Sequence, residues 1–328
     1  MTVRVGMVLA CAYLAAVTAA GAVLPLPAAR LNLRHNGDGY APGYILALQI
    51  CLDRYGFSCN TLDGACGHKT KVALATWCAV NGKTYQAGLE EKAWEMFFPQ
   101  EKDLFRTETV TLAERMALVR IPTEPAEKAQ LKAMGFQTLQ EMYAERGHVS
   151  ERMLVKLNPD LAWPNPPVGS VVTLPDTRSR RPAVKPNRPD GEADVVRVSL
   201  SRMEITAFDA AGRLIGLFPC SIAAAKNKLP PTGEIQVKSL VAEPNYTYTG
   251  DRVEKGGRIP RYLYPPGPNN PVGLAWIGLS LPTYGIHGTP YPEQIGRAES
   301  HGCFRLANWN AVRLRRMCDV GTSIVIEE

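Results

Sequence analysis

The chain has 328 residues, 45% hydrophobic and 21% charged, a balance that excludes disordered, collagen-like and multi-span membrane classes. Its net charge of +6 comes from 37 Lys and Arg against 31 Asp and Glu. No dense basic block is present, so no nucleic-acid partner is expected, and the surplus reads as solvated surface or a mild bias toward an anionic polymer. The length predicts two or three domains.

The N-terminus carries the first signal. Arg4 precedes an uncharged run from Val5 to Ala29, rich in Ala, Val and Leu, with Ala20-Gly21-Ala22 as a small-residue cleavage site. This predicts a signal peptide over 1–29 and export to the periplasm or cell envelope. An uncleaved anchor is the rival, because Gly6 to Leu24 is 19 residues long, and the membrane is then touched only through this segment. A lipoprotein reading of Cys11 is weaker, since Leu9 stands where a smaller residue is usual.

Without Cys11, seven cysteines remain: Cys51, Cys59, Cys66, Cys78, Cys220, Cys303 and Cys318. In an oxidising compartment an odd count predicts paired cysteines plus one free thiol. The helical pattern below brings four of them together and predicts Cys51–Cys78 and Cys59–Cys66 bridges.

From Gly39 to Gly82 the pattern is helix, tight loop, helix. Ile45, Leu46, Leu48, Leu52 and Tyr55 recur at helical spacing, Gly56 stops the helix, Asp63-Gly64 and Gly67 are turn chemistry, and Thr70 to Trp77 starts a second helix. Leu48-Gln49, Gly56-Phe57, Asp63-Gly64, Gly67, Thr70, Ala73-Leu74 and Trp77 resemble the small helical peptidoglycan-binding domain of wall enzymes, over 39–85. Trp77-Cys78 and the four cysteines depart from that pattern.

A second module is predicted over 130–176. Leu139, Met142 and Tyr143 form a helical stripe, Ser150 an N-cap, and Val168 to Pro175 a terminal strand. The order is similar to LysM, a small βααβ domain that binds N-acetylglucosamine polymers. His148 reads as a turn residue rather than a ligand. Residues 177–192, with three prolines and four arginines between Thr177 and Gly191, predict a semi-extended linker.

From Val195 short strands dominate: Val195 to Val198, Met203 to Phe208, Leu214 to Ile222, Ile235 to Leu240 and Gly321 to Ile326, with one helix over Trp309 to Cys318. The expected architecture is thus multidomain: a small all-α module, a small α+β module and a mostly β domain over 193–328.

The chemistry concentrates in Tyr284-Gly285-Ile286-His287-Gly288-Thr289 and Ser300-His301-Gly302-Cys303-Phe304-Arg305-Leu306-Ala307-Asn308. A thiol attacks as thiolate, and a neighbouring imidazole can take its proton, so His287 or His301 is the expected base for Cys303. Backbone N–H groups of the His301-Gly302-Cys303 turn suit an oxyanion. Arg305 offers a fork for a carboxylate, and Asn308 a cap or a brace for the turn. The residue types alone also admit a zinc site with Glu299, or a structural cluster.

His287 followed 16 residues later by Cys303, inside Ser300-His301-Gly302-Cys303 and ahead of Arg305 and Asn308, resembles the signature of the L,D-transpeptidase catalytic domain. Pro230-Pro231-Thr232-Gly233-Glu234, Gly267 to Gly273 and Trp276-Ile277-Gly278-Leu279 match the same family. The resemblance implies that Cys303 attacks the carbonyl of the third residue of a peptidoglycan tetrapeptide stem and expels D-alanine. His287 is the implied base, oriented by the Gly288 carbonyl, and His301 lines the site. Arg305, Ser300, Gly302, Asn308 and Tyr284 are the implied substrate-binding set. An amine on a second stem then gives a 3-3 cross-link in wall biogenesis and cell shape; water as acceptor makes a carboxypeptidase. The implied partners are stem peptides and glycan strands, with carbapenems as inhibitors and no metal or organic cofactor. A non-catalytic wall-binding scaffold is the rival from another class, opposed by the intact His287, His301 and Cys303. Tyr246, Tyr248, Tyr262 and Tyr264 fall in an insertion read as a lid or as a hydrophobic surface patch.

Overall fold

A computed structural model of the chain describes residues 42–101, 103–180, 190–250, 259–300 and 302–328. The expected leader at 1–29, most of the expected linker and His301 lie outside the described residues. No helix among the described residues is long and apolar enough to cross a membrane.

The N-terminal half begins with three helices: α1 (Pro42–Arg54), α2 (His68–Val80) and α3 (Glu90–Phe97). Strand β1 (Phe105–Thr109), short helices α4 (Leu112–Met116) and α5 (Pro125–Lys128), helices α6 (Leu139–Arg146) and α7 (Glu151–Leu157) and strand β2 (Val171–Pro175) follow. Side chains start the later helices: Thr138 accepts from the Glu141 N–H, and Ser150 from the Met153 N–H at 3.1 Å, each satisfying an end group that the helix cannot pair internally. The predicted Ser150 cap is therefore formed. β1 pairs antiparallel with β2, Phe105 opposite Pro175, so the partner of β2 lies before residue 130, with α4, α5, α6 and α7 between the two strands. That strand reads Phe-Arg-Thr-Glu-Thr and offers almost no apolar alternation.

The two N-terminal segments do not pack separately. Leu46, Leu52, Leu74 and Trp77 share one buried cluster with Phe98, Phe105, Tyr143, Leu154 and Leu174. Arg54, fully buried, ties α1 to both flanks: it pairs with Glu101 and donates Nε to the Asp176 carbonyl. A charge this deep is tolerable only when paired and hydrogen-bonded. Cys51, Cys59 and Cys78 are buried thiols in this cluster. The expected Cys51–Cys78 and Cys59–Cys66 bridges are thus not formed; the helices are held by apolar packing instead.

The C-terminal half is a curled sheet. Its strands are β3 (Val195–Ser199), β4 (Glu204–Phe208), β5 (Leu214–Pro219), β6 (Ile222–Ala223), β7 (Gly233–Ala242), β8 (Tyr246–Thr249), β9 (Arg261–Tyr264), β10 (Ala275–Leu279), β11 (Gly285–His287), β12 (Ala298–Ser300), β13 (Phe304–Arg305) and β14 (Ser323–Glu327), with helix α8 (Asn308–Met317) before the last strand. Eight of them form one sheet in the order β13-β11-β10-β7-β14-β3-β4-β5. Alternating burial along β4 and β14 turns Ile205, Ala207, Ile324 and Ile326 inward, as a sheet with one covered face requires. Ala311, Leu314 and Met317 of α8 close that face with Ile277 and Ile286. The insertion between β7 and β10 forms a separate β8–β9 hairpin, on which the Tyr248 and Tyr264 rings stack at 5.7 Å.

The halves share a polar, buried seam. Ser58 N–H donates to the Leu217 carbonyl at 2.9 Å and Leu217 N–H to the Gly56 carbonyl at 2.9 Å, which covers the edge strand β5. Leu217 itself belongs to the N-terminal core. On α8, Asn310 donates to Ser58 at 2.9 Å, and Trp309 stacks on His148 at 5.0 Å. His148 is a structural turn residue, with φ +54.

Candidate active site

β11 lies between β10 and β13, pairing Trp276 with His287 on one side and His287 with Arg305 on the other. Cys303 follows Gly302 in the turn between β12 and β13. The pairing therefore carries Trp276, His287, Cys303 and Arg305 to one cavity of about 850 Å3, which Tyr246 and Tyr284 also line.

His287 is buried and its Nδ1 lies 2.7 Å from the Gly288 carbonyl oxygen. A carbonyl can only accept, so Nδ1 carries the proton and Nε2 keeps its lone pair. Burial pushes the imidazole down to about 4; the Gly288 bond opposes this and the Arg305 charge adds to it. The ring is thus neutral near neutral pH. The Trp276 indole stacks on it at 5.7 Å and 17°. This indole lies over two glycines: a Cβ on Gly285 would meet its ring at 2.6 Å and one on Gly278 its Nε1 at 2.9 Å.

Burial pushes the Cys303 thiol above its ordinary value, and a backbone hydrogen bond at Gly285 lowers it in part. Sγ lies 3.5 Å from the Thr283 carbonyl oxygen. Thr283 has φ +70, a left-handed conformation that costs a β-branched residue on the order of 1–2 kcal/mol; such strain gathers at functional sites. Gly302 has φ +146, and there the backbone rather than space demands glycine, because a Cβ would meet nothing closer than the Tyr284 ring at 3.6 Å. Cys303 and His287 line the same cavity, and with the thiol raised and the imidazole lowered by burial neither favours its charged form near neutral pH.

The remaining sequence-predicted residues divide. Tyr284 lines the cavity and donates its hydroxyl to the Lys228 carbonyl at 3.0 Å, bracing the wall beside Gly302. Arg305 lines the cavity. Ser300 ends β12, its side chain lying outside the described residues, as does His301. Asn308 does not line the cavity and does not cap α8, whose N-cap is Ala307. It is fully buried behind the site, accepting from the Leu274 N–H at 3.1 Å and donating to Pro268 O and Glu145 Oε2, both at 3.1 Å. Among the described residues no group of three or more His, Cys, Asp or Glu is arranged to hold a metal. Sequence reasoning gave no part to Thr283 or to the indole of Trp276. The glycines at 278 and 285 were the available sign of the latter, since two glycines opposite one another on paired strands leave room for a ring.

Residues 193–326 match the YkuD family, described as the L,D-transpeptidase catalytic domain. This segment is a YkuD domain. Relatives named as L,D-transpeptidases resemble it: YqjB of Bacillus subtilis is 35% identical over 114 residues, covering 33% of this chain and 58% of that protein. ErfK/SrfK of Salmonella typhimurium is 27% identical over 193 residues, covering 58% of this chain and 59% of that protein. The chain thus spans under two thirds of each of these relatives. Among solved structures, L,D-transpeptidase 3 from Mycobacterium tuberculosis with a faropenem-derived adduct is 17% identical, with 52% of this chain and 77% of that one covered at a TM-score of 0.33. The E. faecium L,D-transpeptidase catalytic domain acylated by ertapenem is 20% identical, with 41% and 97% covered at a TM-score of 0.32. In the YkuD domain, then, the strand-paired His287 and the turn-borne Cys303 face one cavity.

Proposed function

We propose that the chain is a cell-wall L,D-transpeptidase with Cys303 as nucleophile. The carrying observation is that His287, its Nδ1 proton held by Gly288, offers a free Nε2 lone pair in the cavity that holds Cys303. The thiol gives its proton to His287 while sulfur attacks the carbonyl of the third stem residue. Collapse of the tetrahedral adduct passes that proton to the departing D-alanine amine and leaves a thioester. An amine of a second stem attacks the thioester, restores the thiol and forms the 3-3 cross-link. Backbone N–H groups of the Gly302-Cys303 turn and the Arg305 guanidinium suit the developing oxyanion and a substrate carboxylate; Tyr284 lines the same cavity, and Ser300 and His301 enter the reading through the Ser300-His301-Gly302-Cys303 motif. Export through the 1–29 leader, and glycan contact through the 39–85 and 130–176 segments, complete the reading. Within 130–176, helices α6 and α7 precede strand β2, which is consistent with the latter segment's part in this reading.

Intact mass of the mature protein with a disaccharide-tetrapeptide, and separately with ertapenem, tests it beside Cys303→Ala. Covalent adducts absent from the variant, D-alanine release and a dimeric muropeptide are expected. D-alanine release without dimer points to water as the acceptor. No adduct under reducing conditions sinks the reading and favours a scaffold.

A further inference from the structure

We propose that Glu145, on α6 of the N-terminal half, is a positioning residue for His287; the inference rests on His287 serving as the base in the reading above. Asn308 is the link. Its carboxamide is held by three bonds: Nδ2 donates to Glu145 Oε2 and to Pro268 O, both at 3.1 Å, and Oδ1 accepts from Leu274 N–H at 3.1 Å. The carboxamide oxygen is wedged between two glycines, since a Cβ on Gly273 would lie 1.9 Å from it and one on Gly288 2.3 Å. Gly288 is the residue whose carbonyl holds the His287 Nδ1 proton, and its own N–H is held by Ala275 O at 3.1 Å. Glu145 thus orients the amide, the amide sets the place of Gly288, and Gly288 orients the imidazole.

The loop carrying Pro268 is clamped by the same half. Met134 N–H donates to Pro266 O at 2.8 Å, Asn269 N–H to Met134 O at 3.0 Å, and Asn269 Nδ2 to Gly135 O at 2.9 Å. Gly267 faces Met134 O so closely that a Cβ there would come within 2.3 Å. The base of the YkuD domain is therefore held by a residue that the YkuD segment does not contain.

The test uses full-length Glu145→Ala and Glu145→Gln beside the parent, reading D-alanine release and the His287 Nδ1–H proton resonance. Glu145→Ala leaves one amide proton of Asn308 without its acceptor and is expected to lower kcat about ten-fold with KM within about two-fold, because small misplacements of a reacting group cost rate. The His287 resonance shifts or broadens in that variant. Glu145→Gln keeps an acceptor oxygen and is expected to restore both. An unchanged kcat and resonance in folded Glu145→Ala, or a loss that glutamine does not restore, overturns the proposal. A parent that turns nothing over while its His287 resonance responds to Glu145→Ala but not to Glu145→Gln removes the transpeptidase reading and keeps the positioning.

Discussion

Arg313 and Asp53 meet in a buried ion pair, Nη1 to Oδ1 at 3.4 Å, across 260 residues of sequence. Arg313 also holds Asp190 at 3.1 Å, and Asp53 holds His148 at 3.0 Å. Burial alone pushes the Asp53 carboxyl up, yet Arg313 and then His148 bring it below its ordinary value. Removing one member of such a pair strands a charge, so Arg313→Met is expected to cost about 3–5 kcal/mol. Chemical denaturation followed by circular dichroism measures it; a loss under about 1 kcal/mol would mean that water replaces the guanidinium.

The neutral Cys303 and His287 pair predicts an unusual pH profile. Acylation of Cys303 by ertapenem is expected to hold its rate through mildly acidic pH and to fall only near the imidazole value of about 4. Alkylation by iodoacetamide, which needs thiolate, should climb through and beyond pH 9.0, the ordinary thiol value that burial exceeds. An acid limb near 6.5, the ordinary histidine value, would show that His287 is hydrated.

Gly285→Ala places a methyl group 2.6 Å from the Trp276 ring. Overpacking of this kind costs about 1–3 kcal/mol, and here the indole moves off His287. Slower Cys303 acylation with a changed tryptophan emission is expected. Full activity would mean that the stack contributes nothing to the base.

Glu145 and His287 pull stability in opposite directions with pH. Burial pushes Glu145 up to about 7 from 4.5, Asn308 opposing and Glu141 adding, so its contribution is full below pH 4.5 and is lost as pH rises toward 7. His287, lowered to about 4 from 6.5, costs stability as pH falls through that interval. Because the two intervals overlap, thermal melts of Glu145→Gln should lose the decline toward pH 7 and show the His287 loss unopposed as pH falls from 6.5; an identical profile to the parent refutes the assignment.

The sequence announced the site better than the architecture. That Cys303 and His287 would face one cavity was legible because thiol chemistry needs a base, and few histidines were available to supply one. The helix of α8 and the Ser150 cap followed from periodicity and cap chemistry. The union of the N-terminal segments was not legible: its core joins Leu52, Phe105 and Leu174, and nothing local in Phe105 to Thr109 marks a strand. Asn308 and Glu145 were equally hidden, since their meaning lies in a contact across 163 residues. Spacing reveals neighbours along one element, not partners brought together by the seam.

Strand β14 lies between β7 and β3, antiparallel to one and parallel to the other. β14 joins the ribbon that holds β7, His287 and Arg305 to the ribbon that holds the Leu217 contact to the N-terminal core, and the paired Ser221 and Arg305 backbones, at 2.9 and 3.0 Å, form a second link between them. No residue of Ser323–Glu327 lines the cavity that holds Cys303 and His287, yet this strand sets how the two ribbons meet. The order of the cavity thus depends on a long-range pairing made outside it.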